Sequence, residues 1–359
     1  MAERAAAGKD LTRPELSVLV SYAKMVLKES LVSDEITENP YYRQLLVKSF
    51  PRPLREKFND AMNNHPLRKE IIATKLANSI VNDMGLNFMV RMHEETGANE
   101  AEIAMCYSIA SEIFEMRETW SSISALDNKI PAAVQTEMLY QLRRTVRRAT
   151  RWFLRHRNKS LSIAESIALY QPTFVILSEQ LADFMVTEEI ESLERVTHDL
   201  VKSGIPTMIA IRLSQLSTLF STMDIAEITY DNSCTVEQAA ILYFKLGARL
   251  ELHWFLDQIT RQPVANHWQA LARASFREEL DWQQRSLTSV VLRCQCDAQF
   301  VDLEQLLTEW IDTNEQPLER WKHILADFKV GQSHDFAKFS VALRELMLLS
   351  LNCQPVSAK

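Results

Sequence analysis

Seven arginines crowd the stretch from Arg143 to Arg157: Arg143, Arg144, Arg147, Arg148, Arg151, Arg155 and Arg157, with His156 and Lys159 beside them. No acidic residue occurs between Glu137 and Glu165. Steps of three and four place Arg144, Arg148, Arg151 and Arg155 along one stripe of a helix. Guanidinium forks bind carboxylates and phosphates bidentately. The stripe therefore has three readings: internal pairing with acids elsewhere in the chain, an acidic protein partner, or a polyanion such as RNA or a small anion. The chain carries 40 Lys+Arg against 47 Asp+Glu, a net charge of -7. It has no overall positive field to recruit nucleic acid or an anionic membrane, so neither is the expected partner. Arg144, Arg148, Arg151 and Arg155 are the candidate partner- or anion-binding residues.

Other chemistry-bearing residues point less far. His198-Asp199 and His334-Asp335 are His-Asp dipeptides of the kind that all-helical metal hydrolases use, with His156 and Asp231 the nearest completing residues. His253 and Asp257, four apart, read as a surface or capping pair. There is no H-E-x-x-H, no pair of E-x-x-H motifs and no D-D-x-x-D cluster. The five cysteines are odd in number and scattered, which favours a reducing compartment, and the expected location is the cytoplasm. Cys294 and Cys296 form a C-x-C pair with no second pair at zinc-finger spacing. The six glycines decide most: the closest two, Gly85 and Gly97, stand twelve apart. Phosphate-cradling loops need two or three within about six residues. No Rossmann fingerprint, Walker loop or nucleophile elbow fits, so no catalytic, cofactor-binding or metal-binding residue is assigned in this chain.

The elements that carry these residues read as helices throughout. Thr12 and Glu15, Asn99 and Glu102, and Thr235 and Gln238 are capping boxes. Leu16, Leu19, Ala23 and Val26 form one apolar face after the first of them. Leu67, Ile71, Ile72, Leu76, Ile80 and Met84 follow a helical period up to Gly85, a stop signal. Pro131 opens the arginine helix, which runs through Met138, Leu142, Val146, Ala149, Trp152 and Phe153. Pro172 and Pro206 read as first-turn prolines, and Gly247 and Pro263 as breaks. Phe336, Phe339, Leu343, Leu346 and Met347 share the face of a last helix. The seven tryptophans fall at core positions of helices. The expected fold is all-α, an array of roughly 12 to 16 helices with no significant sheet. The polar stretch Arg157-Asn-Lys-Ser160 divides it into subdomains 1–157 and 158–359. The longest apolar runs fall far short of the roughly 20 residues a membrane span needs.

Several segments together resemble a known family. They are Leu11-Thr-Arg-Pro-Glu-Leu-Ser-Val-Leu-Val-Ser-Tyr-Ala-Lys24, Leu67-Arg-Lys-Glu-Ile-Ile-Ala-Thr-Lys-Leu-Ala-Asn78 with Val81-Asn-Asp-Met-Gly85, Leu126-Asp-Asn-Lys-Ile-Pro131 with Gln135, and Arg148-Ala-Thr-Arg-Trp152. Tyr243-Phe-Lys-Leu-Gly-Ala-Arg-Leu250 and Asn266-His-Trp-Gln-Ala-Leu-Ala-Arg273 complete the set. In this order they resemble the C-terminal helical region of the large bacterial NAD-dependent glutamate dehydrogenases.

The resemblance implies oxidative deamination of L-glutamate to 2-oxoglutarate and ammonia, with NAD as hydride acceptor, for the whole enzyme. The substrate lysines, catalytic aspartate and NAD loop of that family lie upstream and have no counterpart here. The chain alone is then expected to be a non-catalytic scaffold or oligomerisation region. Its implied partners are its own catalytic domain and the other subunits of a homo-oligomer. A surface that meets the catalytic domain would be left exposed and apolar. The alternative is a helical polyanion-, RNA- or partner-binding module built on Arg143–Arg157.

Overall fold

The computed structural model describes residues 10–293, 302–330 and 335–352. Among these the chain forms nineteen α-helices and no strand. The all-α expectation holds. The count exceeds 12 to 16 because the proline-punctuated stretch after residue 40 folds into three very short helices instead of a loop. The chain divides into two compact units, Met1–Ala168 and Leu169–Lys359.

The first unit begins with α1 (Arg13–Ser33) and two 3-10 turns. The short helices α2 (Arg43–Lys48), α3 (Arg52–Lys57) and α4 (Asn59–Asn63) follow. Then come α5 (Arg68–Met84), α6 (Phe88–Thr96), α7 (Glu100–Ile113), α8 (Met116–Ser124) and α9 (Ala132–His156). α1 packs chiefly on α5, and α9 on α7. α7 is the central rod, with Ala101, Ile103, Ala104, Tyr107, Ile109, Ala110 and Ile113 all buried. Its start is fixed by the expected box: Asn99 accepts from the Glu102 N–H at 2.8 Å and Glu102 accepts from the Asn99 N–H at 3.2 Å. Gly85, at φ 87°, ends α5 as expected. Between α7 and α8 the chain turns at Glu115 with φ 46°, a left-handed position with no glycine to announce it. In α1 the core contact is made by Leu27 and Leu31. Of the expected face, Leu19 and Ala23 are half-buried, while Leu16 and Val26 are exposed.

The expected break at 157 coincides with the end of α9 at His156, and the division between units falls inside α10 (Ile163–Phe184). Pro172 lies within α10 and is not a first-turn proline. The helix starts earlier because Ser162 and Glu165 form a box of their own, the Glu165 carboxylate accepting from the Ser162 N–H at 2.8 Å.

The second unit continues with α11 (Thr187–Lys202), α12 (Thr207–Leu219), α13 (Thr222–Asn232), α14 (Val236–Arg249), α15 (Leu252–Arg261) and α16 (His267–Arg293). It closes with α17 (Leu303–Thr313), α18 (Glu315–Val330) and α19 (Phe336–Asn352). Its core holds an aromatic cluster: Phe255 lies 5.4 Å from Trp321 and 5.3 Å from Phe328, and Phe328 lies 5.1 Å from Phe339. Each such ring contributes about 1.5–3 kcal/mol by burial. Trp321 also donates from Nε1 to the Leu250 carbonyl at 3.0 Å, so the ring is fixed in direction as well as buried. Trp152, Trp310 and Trp321 are core residues, but Trp268 and Trp282 are exposed, against expectation. Helical spacing alone does not say which face of a helix is covered.

Gly247 is not a break; it lies inside α14. A Cβ there would sit 2.5 Å from Nε2 of Gln284. That amide is buried on α16 and donates to the Tyr243 carbonyl at 3.0 Å. The glycine is what lets a polar side chain of α16 reach the backbone of α14. Gly247→Ala gains helix propensity of about 1 kcal/mol yet dislodges Gln284 from its acceptor. We expect a net loss of about 1–3 kcal/mol by urea unfolding. Gly247→Ala combined with Gln284→Ala should recover part of that loss, because the second change removes the clash.

Candidate functional site

The arginines stand on α9, which Pro131 caps with φ -58° and ψ 135°. Met138, Leu142, Val146, Ala149, Trp152 and Phe153 bury one face of it, as the spacing required. Burial of that stripe fixes the rotation of the helix and so decides where each guanidinium can reach. Arg143 donates to the carbonyls of Asp83 and Asn82, the latter at 3.2 Å, and lies 4.9 Å from the centre of the Trp120 ring. Those carbonyls belong to the last turn of α5, which has no N–H partners of its own. Arg155 donates to the Glu95 carbonyl in the last turn of α6 at 3.1 Å. Arg151 pairs with the Glu95 carboxylate at 2.9 Å, both side chains only 14% exposed. Two helix C-termini, each with its partial negative charge, thus receive cations from α9. Beyond its end, Arg157 donates to the Leu161 carbonyl at 2.8 Å and Lys159 pairs with Glu102 at 3.4 Å.

The four candidate residues therefore do not form one open stripe. Arg151 and Arg155 converge on Glu95. Arg148 is half-buried, and Arg144 is exposed with its guanidinium 5.8 Å from the ring of Tyr140. Arg147 is half-buried between them. Burial pulls its pKa below the ordinary value, and the charge of Arg91 adds to that pull while Glu95 opposes it. Beneath α9, burial raises the pKa of Asp83, and the Tyr107 hydroxyl bonded to it at 2.8 Å holds it back. Cys106 on α7 is buried, which pushes its thiol up to about 11. A thiol in that range is not a nucleophile near neutrality.

The second unit holds contacts that spacing did not announce. Asp224 on α13 is buried, 3.7 Å from Arg285 on α16 and within 3.4 Å of the Tyr243 hydroxyl. Tyr170 on α10 donates to Glu227. The one local signal for the first contact was an acid set in the apolar run Met223–Ile225. His253 on α15 pairs with Glu189 on α11, while Asp257 pairs with Arg261 at 2.8 Å. His253 and Asp257 thus each have another partner. His198 and Asp199 are exposed on α11. His334, Cys294, Cys296 and Cys353 lie outside the described residues. Among the described residues, no three His, Cys, Asp or Glu side chains gather to hold a metal, and no helix is long and apolar enough to cross a membrane.

Residues 8–348 match the family model described as "Glutamate dehydrogenase, C-terminal". The chain belongs to that glutamate dehydrogenase C-terminal family. It is 38% identical over 99% of its length to the NAD-specific glutamate dehydrogenase of Pseudomonas aeruginosa, covering 22% of that protein. It is 37% identical over 97% of its length to the NAD-specific glutamate dehydrogenase of Halomonas elongata, covering 21% of it. The enzyme of the same name from Mycobacterium tuberculosis is 28% identical over 96% of this chain. The chain thus spans about a fifth of the length of the curated relatives it matches. Within this glutamate dehydrogenase C-terminal region, the motif Arg148–Trp152 is the part of α9 that faces Glu95, and Tyr243–Leu250 is the part of α14 that accepts Gln284.

Arg151→Ala should leave the Glu95 carboxylate largely buried without its cation and cost about 2–4 kcal/mol in denaturant unfolding. Arg144→Ala should change stability by less than about 0.5 kcal/mol. The His253 pair gives a pH dependence. Partial burial alone would lower the imidazole pKa, but Glu189, Asp257 and Asp281 outweigh it and the value rises above 6.5. A raised folded-state value means stability that is fully present below the unfolded pKa of about 6.5 and lost as pH climbs through the folded value. Denaturation midpoints should fall as pH climbs above about 6.5, and Glu189→Gln should flatten that fall.

Proposed function

We propose that this chain is a non-catalytic helical arm of a large NAD-dependent glutamate dehydrogenase, bracing its catalytic domain and contributing to contacts between subunits of a homo-oligomer. The whole enzyme would deaminate L-glutamate oxidatively to 2-oxoglutarate and ammonia, with NAD accepting the hydride, in the cytoplasm. The observation that carries this reading is the lopsided match. Almost all of this chain aligns with about a fifth of each relative, in a region described as C-terminal. Two features agree with a bracing role. The helix ends of the first unit are tied down by Arg143, Arg151 and Arg155, and Cys106 is held as an inert thiol. NAD would be held by the rest of the enzyme, because this chain has no pair of glycines close enough to cradle a pyrophosphate.

The rival reading, a polyanion-binding module on α9, draws no support from Arg143, Arg151, Arg155 and Arg157. All four already donate to carbonyls or a carboxylate inside the fold.

The purified chain should bind no NAD and turn over no glutamate. Removing the matched region from the P. aeruginosa enzyme should lower glutamate–NAD turnover at least tenfold and reduce the assembly's mass by more than the deleted residues alone. Unchanged specific activity in the shortened enzyme would overturn the arm.

A further inference from the structure

The first helix of the described chain has two apolar faces and buries only one. Leu27 and Leu31 turn toward the core. On the opposite side stand Val18, Tyr22, Met25 and Val26, at 41%, 60%, 54% and 65% exposure. Positions i, i+4, i+7 and i+8 fall within one strip of helix surface. Together these side chains present on the order of 400 Å² of apolar surface, as large as the largest patch on a typical monomer, which is often functional.

From this face we infer the surface through which the arm docks on the rest of the enzyme: Val18, Tyr22, Met25 and Val26 seat against the polypeptide that precedes the matched region in the full-length protein. The inference rests on the arm reading. Two observations select this occupant. First, about four fifths of each relative lies outside the match, and the match begins at residue 8, five positions before α1 starts. In relatives whose matched region is C-terminal, α1 is the first helix that the preceding polypeptide would reach. Second, the size fits a tethered partner better than a second copy. A stable dimer needs about 800 Å² from each subunit, roughly twice what the strip supplies. A covalently attached partner has an effective concentration in the millimolar range and holds with less.

Tyrosine and methionine are readily oxidised by hydroxyl radicals when exposed, so Tyr22 and Met25 report on their own cover. The test is radical footprinting, read by mass spectrometry. It compares this full chain alone with the chain carried by the P. aeruginosa enzyme in place of that enzyme's own matched region. Met208 on α12, 78% exposed, is the internal control. We expect Tyr22 and Met25 to react freely in the isolated chain and about tenfold more slowly in the exchanged enzyme, with Met208 unchanged. If they stay reactive in an exchanged enzyme that turns over glutamate with NAD, the face is bare; this proposal fails and the arm reading stands. If the exchanged enzyme shows neither protection nor turnover, both fail. If the isolated chain already protects them and light scattering gives twice the monomer mass, a second copy is the occupant and the proposal is wrong.

Discussion

The last carbonyls of a helix have no N–H to accept from, and for α5 and α6 of the first unit that shortage is met from one neighbouring helix. α9 lends guanidiniums to the closing turns of α5 and α6. The positive charge of α9 meets the negative ends of two helix dipoles and the Glu95 carboxylate. A basic helix can pack into an acidic protein because its charges are spent locally. The side chains that anchor it, Leu142, Val146, Ala149 and Phe153, are effective only in the rotation that also aims Arg143, Arg151 and Arg155 at their acceptors. Packing and electrostatics therefore fix the same register, which is the agreement between levels that makes a single structure well defined.

Much of this was legible in the chain. The capping boxes at Asn99 and Thr235 fell where the residue types put them. The stop at Gly85 and the buried stripe of α9 did as well. What spacing could not supply was which acceptor each arginine would meet. Arg151 and Glu95 are 56 residues apart, and no local pattern joins them. The exposed Trp268 and the helical Gly247 were misread for one shared reason. A tryptophan is apolar and a glycine breaks helices in isolation, but both fates are decided by whatever element lies opposite. Pro172 is not a first-turn proline because the helix has already begun at Ile163, under a serine–glutamate box.

The second unit relies on a different arrangement. Its aliphatic core includes a cluster of interlocking aromatics, and the buried Asp224 is held by Arg285 and Tyr243. Such placements restrict geometry more than they add net stability, since desolvation consumes much of the Coulombic gain. Both units thus keep their charged side chains for orientation and leave cohesion to apolar contact.

The meeting of Gly247 and Gln284 makes two distant positions of this chain interdependent. The two positions share one volume, because the amide of one occupies the space where the Cβ of the other would stand. A side chain at 247 and Gln284 in its present position cannot both fit. Shortening 284 makes room for a side chain at 247 but leaves the Tyr243 carbonyl in need of a new donor or of water. The contact between α14 and α16 therefore makes the cost of a side chain at 247 depend on the residue 37 positions away rather than on any turn of the glycine's own.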